Sequence, residues 1–593
     1  MCGYLVSNLS DCEDIFADAL NTISYRGPDH LGLKKSHDWS FGHVRLSLFD
    51  LTSVSNQPVA ICNGAHDEIV FVFNGEIFNF KDFGDFVSDT LMIKNVLPSI
   101  IVEGNLDETK LISLLNKWNG FFSLTIKVNS KIIIIRDRFG EKPLYIYKNK
   151  STFSAASEIK ALKALHKINP SLDDLHRLCL DPFDFQETEF CKGLYKTIYE
   201  KVFELRPGFF LSYDTNSNKF YESEWYDLQS DIDRYGSEST EELITDSLKL
   251  RVLSDAKGAF TLSGGVDSSV NCALAKFSLN HNVDAYSMIS DKPEYTELDT
   301  IEKNKLKLTS KHSNIFESDI LKNLTADKIL NLLGHFDYPY FDPNIIQHSL
   351  YSEIKSQGNK FVIDGHGADE LMSGYEWHIP HIAFFALIQG RPKSAWSMLS
   401  WFISSYPTNY PMIYRIFIML RGFLRAMLGM NENKSYFGST PKSYALVRYH
   451  EIFSRVLLRL LNNYDMTSMR NSIEVRTPFL DYRLVANILS QKNSFFEGKQ
   501  NKQWLRNLLN KISGVEVMNR KIGLGSYIWN KITLSEKQKL YEAYSKSYQL
   551  LDRKSSLGKR NFLKFENLDS LSPVNQLLFW KVLSFGVLLD SKD

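Results

Sequence analysis

The sequence predicts two joined domains of different class: a strand-rich α+β unit, then an α/β unit on a parallel sheet with extra helices. Three observations carry this. The first 200 residues hold β-branched and aromatic runs ending in turn residues, at 68–80 (EIVFVFNGEIFNF) and 131–138 (KIIIIRDR). From residue 240, short apolar runs alternate with helical stretches, the pattern of a parallel sheet covered by helices. From residue 375 the pattern is mostly helical and rich in Trp, Phe and Tyr.

Taken in order, 154–165 (SAASEIKALKAL) has helical periodicity. A polar stretch follows the turn at Arg206-Pro207-Gly208 and reads as a connection. The expected division is therefore 1–205, a connecting segment 206–239, and 240–593. In the second unit a helix at 240–252 leads into a buried strand at 258–265 (GAFTLSGG), then a loop and a helix. Further strands are expected at 283–290 (VDAYSMIS) and 359–365 (NKFVIDG). No internal repeat or low-complexity tract interrupts this order.

Composition narrows the function classes. Lys and Arg number 69, Asp and Glu 69, in 593 residues. A zero balance argues against a nucleic-acid binder, which carries a basic footprint. The six cysteines show no CxxC spacing, so neither a disulfide framework nor a zinc site is expected. No run of about 18 apolar residues offers a membrane span, and the N-terminus lacks the basic and apolar regions of a signal peptide. The expectation is a cytoplasmic protein without membrane or nucleic-acid partners.

Chemistry first shows at Cys2. Removal of Met1 would place the thiol beside its own α-amine, whose pKa near 8 suits a general base. Four segments give it company: Arg26-Gly27-Pro28-Asp29, Arg45 in GHVRLSLFD, Asn74-Gly75-Glu76, and Ser88-Asp89-Thr90. Glutamine hydrolysis needs a carboxylate for the substrate ammonium, an arginine for its carboxylate, and donors facing the oxyanion. Asp89, Arg45, and the Asn74 side chain with the Gly75 N–H supply those types, and Glu76 is assigned to the same pocket. This series, with RDRFGEKPLY (136–145) and ASEIKAL (156–162), resembles the class II glutamine amidotransferase domain. The resemblance implies an N-terminal-nucleophile αββα sandwich in which Cys2 attacks the glutamine amide and releases ammonia. Tyr25 departs from the family's usual His before RGPD, Phe78 from Tyr, and Leu91 from an acid after SDT.

A second constellation is the run Ser263-Gly264-Gly265-Val266-Asp267-Ser268-Ser269, at the end of an apolar strand and the start of a helix. Glycines let the backbone approach phosphate, and successive N–H groups stabilise it. The run resembles the loop of ATP pyrophosphatases. Further matches are to class B asparagine synthetases and their relatives. They are Asp364-Gly365-His366-Gly367-Ala368-Asp369-Glu370, Met469 with 474–481 (EVRTPFLD), Lys502 in KQNKQWLR, and Lys521 and Gly523. The resemblance implies adenylation of an acceptor carboxylate by ATP. Ser263, Gly265, Asp267 and Ser268 would hold the pyrophosphate, with Leu262, Gly264, Ser269 and Gly365 beside them. Asp267 and Asp369 would bind magnesium, Lys502 would neutralise developing charge, and backbone near Ser287 and Met288 would read the adenine.

His366 stands where asparagine synthetases usually carry an acid, which changes charge and general-base pKa next to the expected adenylate. The expected reaction is glutamine-dependent amidation of a carboxylate, aspartate first, with another biosynthetic carboxylate as the alternative. The substrates are glutamine, ATP and the acceptor. The segment 376–468 fits core packing, a homodimer surface or a shaped acceptor pocket.

Overall fold

The computed structural model of the chain describes residues 2–9, 13–63, 67–102, 104–171, 173–174, 185–291, 296–322, 324–338, 344–375, 378–405, 444–453, 456–498, 500–517 and 532–554, with shorter pieces within 416–424 and 579–587.

The run Lys131–Arg136 shows why the first unit takes its form. Ile132 and Ile134 point into one core and Ile133 and Ile135 into another. Val70 and Val72 alternate in the same way with Ile69, Phe71 and Phe73. A strand with both faces buried needs a layer on each side. On one side lies a seven-stranded antiparallel sheet in the order Leu194–Lys196, Val202–Leu205, Tyr145–Asn149, Thr152–Ala156, Gly3–Ser7, Trp39–Arg45, His30–Ser36. It faces a six-stranded antiparallel sheet in the order Lys219–Glu224, Phe209–Asp214, Lys131–Arg136, Gly120–Val128, Asp67–Ile77, Val59–Asn63. Tyr4, Val6, Phe41, Val70, Ile132 and Ile134 fill the space between them. Helices Asp89–Val96 and Glu108–Lys117 cover the outer face of the six-stranded sheet through Met92, Ile93, Leu111 and Leu115. Helices Glu13–Asn21 and Ile159–Leu165 cover the other sheet through Phe16, Leu20, Ile159 and Leu162. This is the αββα sandwich.

Two expectations change. The stretch 206–239 is not a plain connection: Phe209–Asp214 and Lys219–Glu224 pair antiparallel and complete the six-stranded sheet. Their polar composition reflects an edge, where the Lys219–Glu224 side chains are exposed or half-buried. The expected helix over 154–165 is a strand to Ala156, then a helix from Ile159. The pairing of Ala155 with Val6 and Ile146 overrides local helical periodicity.

The second unit has five parallel strands in the order Lys311–Phe316, Asp284–Ile289, Gly258–Thr261, Phe361–Ile363, Glu474–Arg476. Chain order reverses direction between Gly258–Thr261 and Phe361–Ile363. Ligands bind at such a switch point, beyond the carboxyl ends of the strands. The loops after these two strands are SGGVDSS and DGHGAD. No helix among the described residues is long and apolar enough to cross a membrane.

Buried ion pairs join the two units. Arg26 meets Asp465 at 2.8 Å, and Lys142 meets Asp465 at 3.5 Å. Arg476 meets Glu76 of the first unit at 3.4 Å, and is also held by Glu474 of its own strand at 2.8 Å. Removing one partner from such a pair costs about 3–5 kcal/mol, because a buried charge is left behind.

Candidate functional site

Cys2 directly precedes the strand Gly3–Ser7 and is buried. Its backbone nitrogen donates to Asn74 Oδ1 at 3.1 Å, and its carbonyl accepts from Arg26 Nε at 3.0 Å. Asn74 Nδ2 lies 3.5 Å from Ser157 Oγ. Burial pushes the Cys2 thiol up, while the Leu46 backbone and Arg45 pull it down. Gly75 takes φ 149°, and a Cβ there would meet the Phe121 carbonyl oxygen at 2.1 Å, so only glycine fits beside Asn74. Arg45 is locked by its own loop: it donates to Thr52 O at 2.6 Å, Asn56 Oδ1 at 2.7 Å, Phe49 O at 3.2 Å and Asp50 O. These bonds use both terminal nitrogens and fix the guanidinium in place, leaving its Nε–H uncommitted by them.

Asp89 accepts from the Ile77 N–H at 3.1 Å and the Thr90 N–H at 2.7 Å. Burial nevertheless raises its pKa to about 6, against those two donors. An acid holding a substrate ammonium must be ionised. If Asp89 takes the ammonium-binding role expected of it, kcat/KM for glutamine hydrolysis falls as pH drops through about 6, with kcat less affected. A kcat/KM profile flat from pH 7 to about 5 would remove Asp89 from ammonium binding. Glu76 is turned instead toward Arg476 across the domain interface.

In the second unit Gly264 takes φ 75°, and Gly265 caps the helix Val266–Ala273. The Ser263 N–H donates to Ser268 Oγ at 3.0 Å, and the two hydroxyls lie 3.1 Å apart. Lys502 joins both loops: Nζ contacts Asp267 Oδ2 and lies 2.5 Å from Asp369 Oδ1. Burial alone would lower the Lys502 pKa, but Asp267 and Asp369 raise it. Lys502 has φ 52°, a left-handed backbone that side chains adopt at a cost of about 1–2 kcal/mol. Gly374 makes room for the trio, since a Cβ there would meet Asp369 Oδ1 at 1.7 Å and Lys502 Cε at 2.1 Å.

A cavity of about 430 Å³ opens over these loops. Leu262, Ser263, Asp267, Ser268, Met288, Gly365, His366 and Asp369 line it. Two serines of the expected nucleotide set bury their side chains; at Ser287 the expected contact is through the backbone. The Ser287 side chain is buried, donating to Leu262 O and lying 2.7 Å from His312 Nε2. Ser269 is buried within its helix, off the cavity wall. The opposite wall is apolar and aromatic, from Ile346, Leu350, Tyr351, Leu457, Leu461 and Tyr464.

His366 sits at one end of the cavity. Its Nδ1 lies 2.9 Å from Asp364 Oδ1, and its ring centroid is 3.4 Å from that of Tyr464. Burial opposes ionisation of Asp364, but His366 brings its pKa below the usual value. His366 also lines a gap of about 20 Å³ with Glu141 and Lys142 of the first unit and Asp465 and Thr477 of the second. Arg26 was legible only as a turn residue; the structure makes it a link. It touches the Cys2 carbonyl, Glu158 at 2.8 Å and Asp465 at 2.8 Å, next to Tyr464. Lys521 and Gly523 lie outside the described residues.

Among the described residues no group of three or more His, Cys, Asp or Glu side chains forms a metal cage. Two carboxylates beside a phosphate loop still suit magnesium, which commonly takes one or two carboxylates and completes its shell from phosphates and water.

Comparison with known proteins agrees with this architecture. Residues 1–226 match the glutamine amidotransferase domain model, and residues 239–554 match the asparagine synthase model. "Asparagine synthetase [glutamine-hydrolyzing] 2" of Bacillus subtilis (strain 168) is 26% identical over 495 residues, 78% of this chain; the match spans 62% of that protein's length. "Asparagine synthetase [glutamine-hydrolyzing] 1" of the same organism is 23% identical over 572 residues, 88% of this chain and 86% of the relative. "Amidase chry2" of Gibberella zeae is 25% identical over 405 residues, 64% of this chain and 57% of the relative. With its second unit matched along 239–554, over half of its length, the chain belongs to the asparagine synthase family.

Proposed function

We propose that this protein amidates a carboxylate with ammonia taken from glutamine, using ATP to form an acyl-adenylate. The observation that carries the coupled reading is Arg26, one buried side chain touching both the Cys2 carbonyl and Asp465 beside the acceptor cavity.

In this reading the Cys2 sulfur attacks the glutamine amide, with its α-amine as base once Met1 is removed. Arg45 holds the substrate carboxylate and Asp89 its ammonium, and Asn74 with the Gly75 N–H faces the oxyanion. The thioester is hydrolysed to glutamate. Ammonia passes toward the narrow gap at Lys142 and His366. In the second unit the acceptor carboxylate attacks the α-phosphorus of ATP. Ser263, Gly265 and Ser268 hold the leaving pyrophosphate, and Lys502 balances its charge. Asp267 and Asp369 would hold magnesium, which supplies charge neutralisation on the phosphates. Ammonia then displaces AMP, and His366, oriented by Asp364, takes up a proton.

Aspartate is the acceptor of the leading reading. A second is favoured by the apolar wall formed by Ile346, Leu350, Tyr351, Leu457, Leu461 and Tyr464 together with His366: a carboxylate on a larger, less polar body. Pyrophosphate release with glutamine and a panel of carboxylates separates the two. Release with aspartate at a rate of about 1 s⁻¹ or faster supports the first. Release only with another carboxylate overturns it.

A further inference from the structure

The strand Asp67–Ile77 outruns its neighbour. Val59–Asn63 pairs with it only from Asp67, opposite Asn63, to Phe71, opposite Val59. Beyond Phe71 no described strand continues the ladder on that edge, yet Phe73 and Asn74 are buried. Backbone groups on a buried edge need other partners. The Ile77 N–H takes the Asp89 carboxylate at 3.1 Å. At Phe73 two side chains replace the missing strand. Its N–H donates to Gln57 Oε1 at 2.7 Å, and its carbonyl accepts from His43 Nε2 at 3.1 Å. Alternation along the strand puts the Gly75 N–H on this same edge, between Phe73 and Ile77.

Both side chains are buried, and both belong to elements that build the glutamine pocket. His43 stands two residues before Arg45 on the strand Trp39–Arg45, opposite Tyr4, itself two residues after Cys2. It reaches from the seven-stranded sheet across to the six-stranded one. A carbonyl only accepts, so His43 carries its proton on Nε2. Burial, with the nearby Arg45 and His30 adding to it, holds its pKa down at about 3. The ring is therefore neutral, and its one donor is committed to Phe73. Gln57 ends the loop whose carbonyls and Asn56 side chain hold Arg45. Its amide nitrogen donates to Thr90 Oγ1 at 3.3 Å, next to Asp89. Ser55 Oγ lies 2.6 Å from Ser88 Oγ, a second tie from this loop to the same helix start.

We propose that His43 and Gln57 are positioning residues for glutamine hydrolysis. They clamp the Phe73 peptide and so aim Asn74 and Gly75 at the oxyanion, and Gln57 also sets the spacing from that strand to Asp89. Both act through the backbone of Phe73 rather than on substrate. The inference rests on the glutaminase reading proposed above. Oxyanion donors work by preorganisation, and a misplacement of about 1 Å costs up to about 10²-fold in rate.

The test measures glutamate formation by the full chain, with kcat expressed per Cys2 site titrated with a chloroketone analogue of glutamine. His43→Leu should lower kcat by about 10–100-fold and leave KM within about twofold, because the oxyanion forms only in the transition state. His43→Gln, whose Nε2 can donate at the same place, should bring kcat back to within about threefold of wild type. Gln57→Leu should lower kcat and raise KM together, since it frees the strand and loosens the Asp89 end of the pocket. Misfolding would reduce the number of titrated sites and leave the kcat of each unmoved. His43→Leu with wild-type kcat per site, or His43→Gln no faster than His43→Leu, overturns the inference while the glutaminase reading stands. Cys2→Ala that hydrolyses glutamine as wild type does overturns that reading, and this inference with it.

Discussion

Cys2→Ala is expected to eliminate product formation from glutamine, by about 10⁴-fold or more, and to leave amidation by free ammonium near the wild-type rate. The size follows from what is removed. The other cysteines with described side chains are engaged elsewhere: Cys191 is in contact with Glu222 and Cys272 with the Thr261 carbonyl. The ammonium rescue follows from separation of the sites, since Cys2 contributes nothing to the cavity over the phosphate loop. Alanine also keeps the two backbone bonds of Cys2, to Asn74 and Arg26, so the buried link to Asp465 survives. Glutamine-driven and ammonium-driven rates should be measured on the same preparation. A variant dead with both donors contradicts the two-site account.

The second large effect is at the Asp267–Lys502–Asp369 trio. Lys502→Met should cut AMP formation by about 10²–10³-fold, the loss usual for one preorganised charge at a transition state. Removing the lysine also leaves Asp267 and Asp369 facing each other without their shared cation. Gly374→Ala should act in the same direction without touching a charge, because its Cβ would overlap the Asp369 carboxylate. Glutamine hydrolysis by both variants should persist, as Cys2 and its partners are in the other unit. Equal loss of both activities would indicate that the trio is structural. A variant with normal AMP formation would remove Lys502 from the chemistry.

Much of this was legible because short-range rules govern it. The Ile132–Ile135 run announces a strand, and SGGVDSS after an apolar strand announces a phosphate loop. The strands Lys311–Phe316 and Glu474–Arg476 were missed for opposite reasons. The first is an edge strand with half-exposed polar residues; the second has three residues inside a segment matched as a family motif, its Glu and Arg read as an ion-pair network at least as readily as a site. In the fold Arg476 bonds Glu474 and the carbonyls of Arg251 and Leu253, a structural knot beneath the sheet. Side-chain direction was beyond sequence reasoning: Glu76 faces Arg476 across the domain interface. The contacts of Arg26 with Asp465 and of His366 with Tyr464 join distant stretches of chain, and no local pattern encodes them.

The central claim is that the two sites serve one reaction. It is tested most directly by incubating the protein with amide-¹⁵N glutamine, ATP, magnesium and a carboxylate panel, then quantifying every product by mass spectrometry. The account predicts glutamate, AMP, pyrophosphate and a ¹⁵N-labelled amide in equal amounts with at least one acceptor. ADP and phosphate in place of AMP and pyrophosphate, or glutamate formed with no labelled amide from any acceptor, would contradict it.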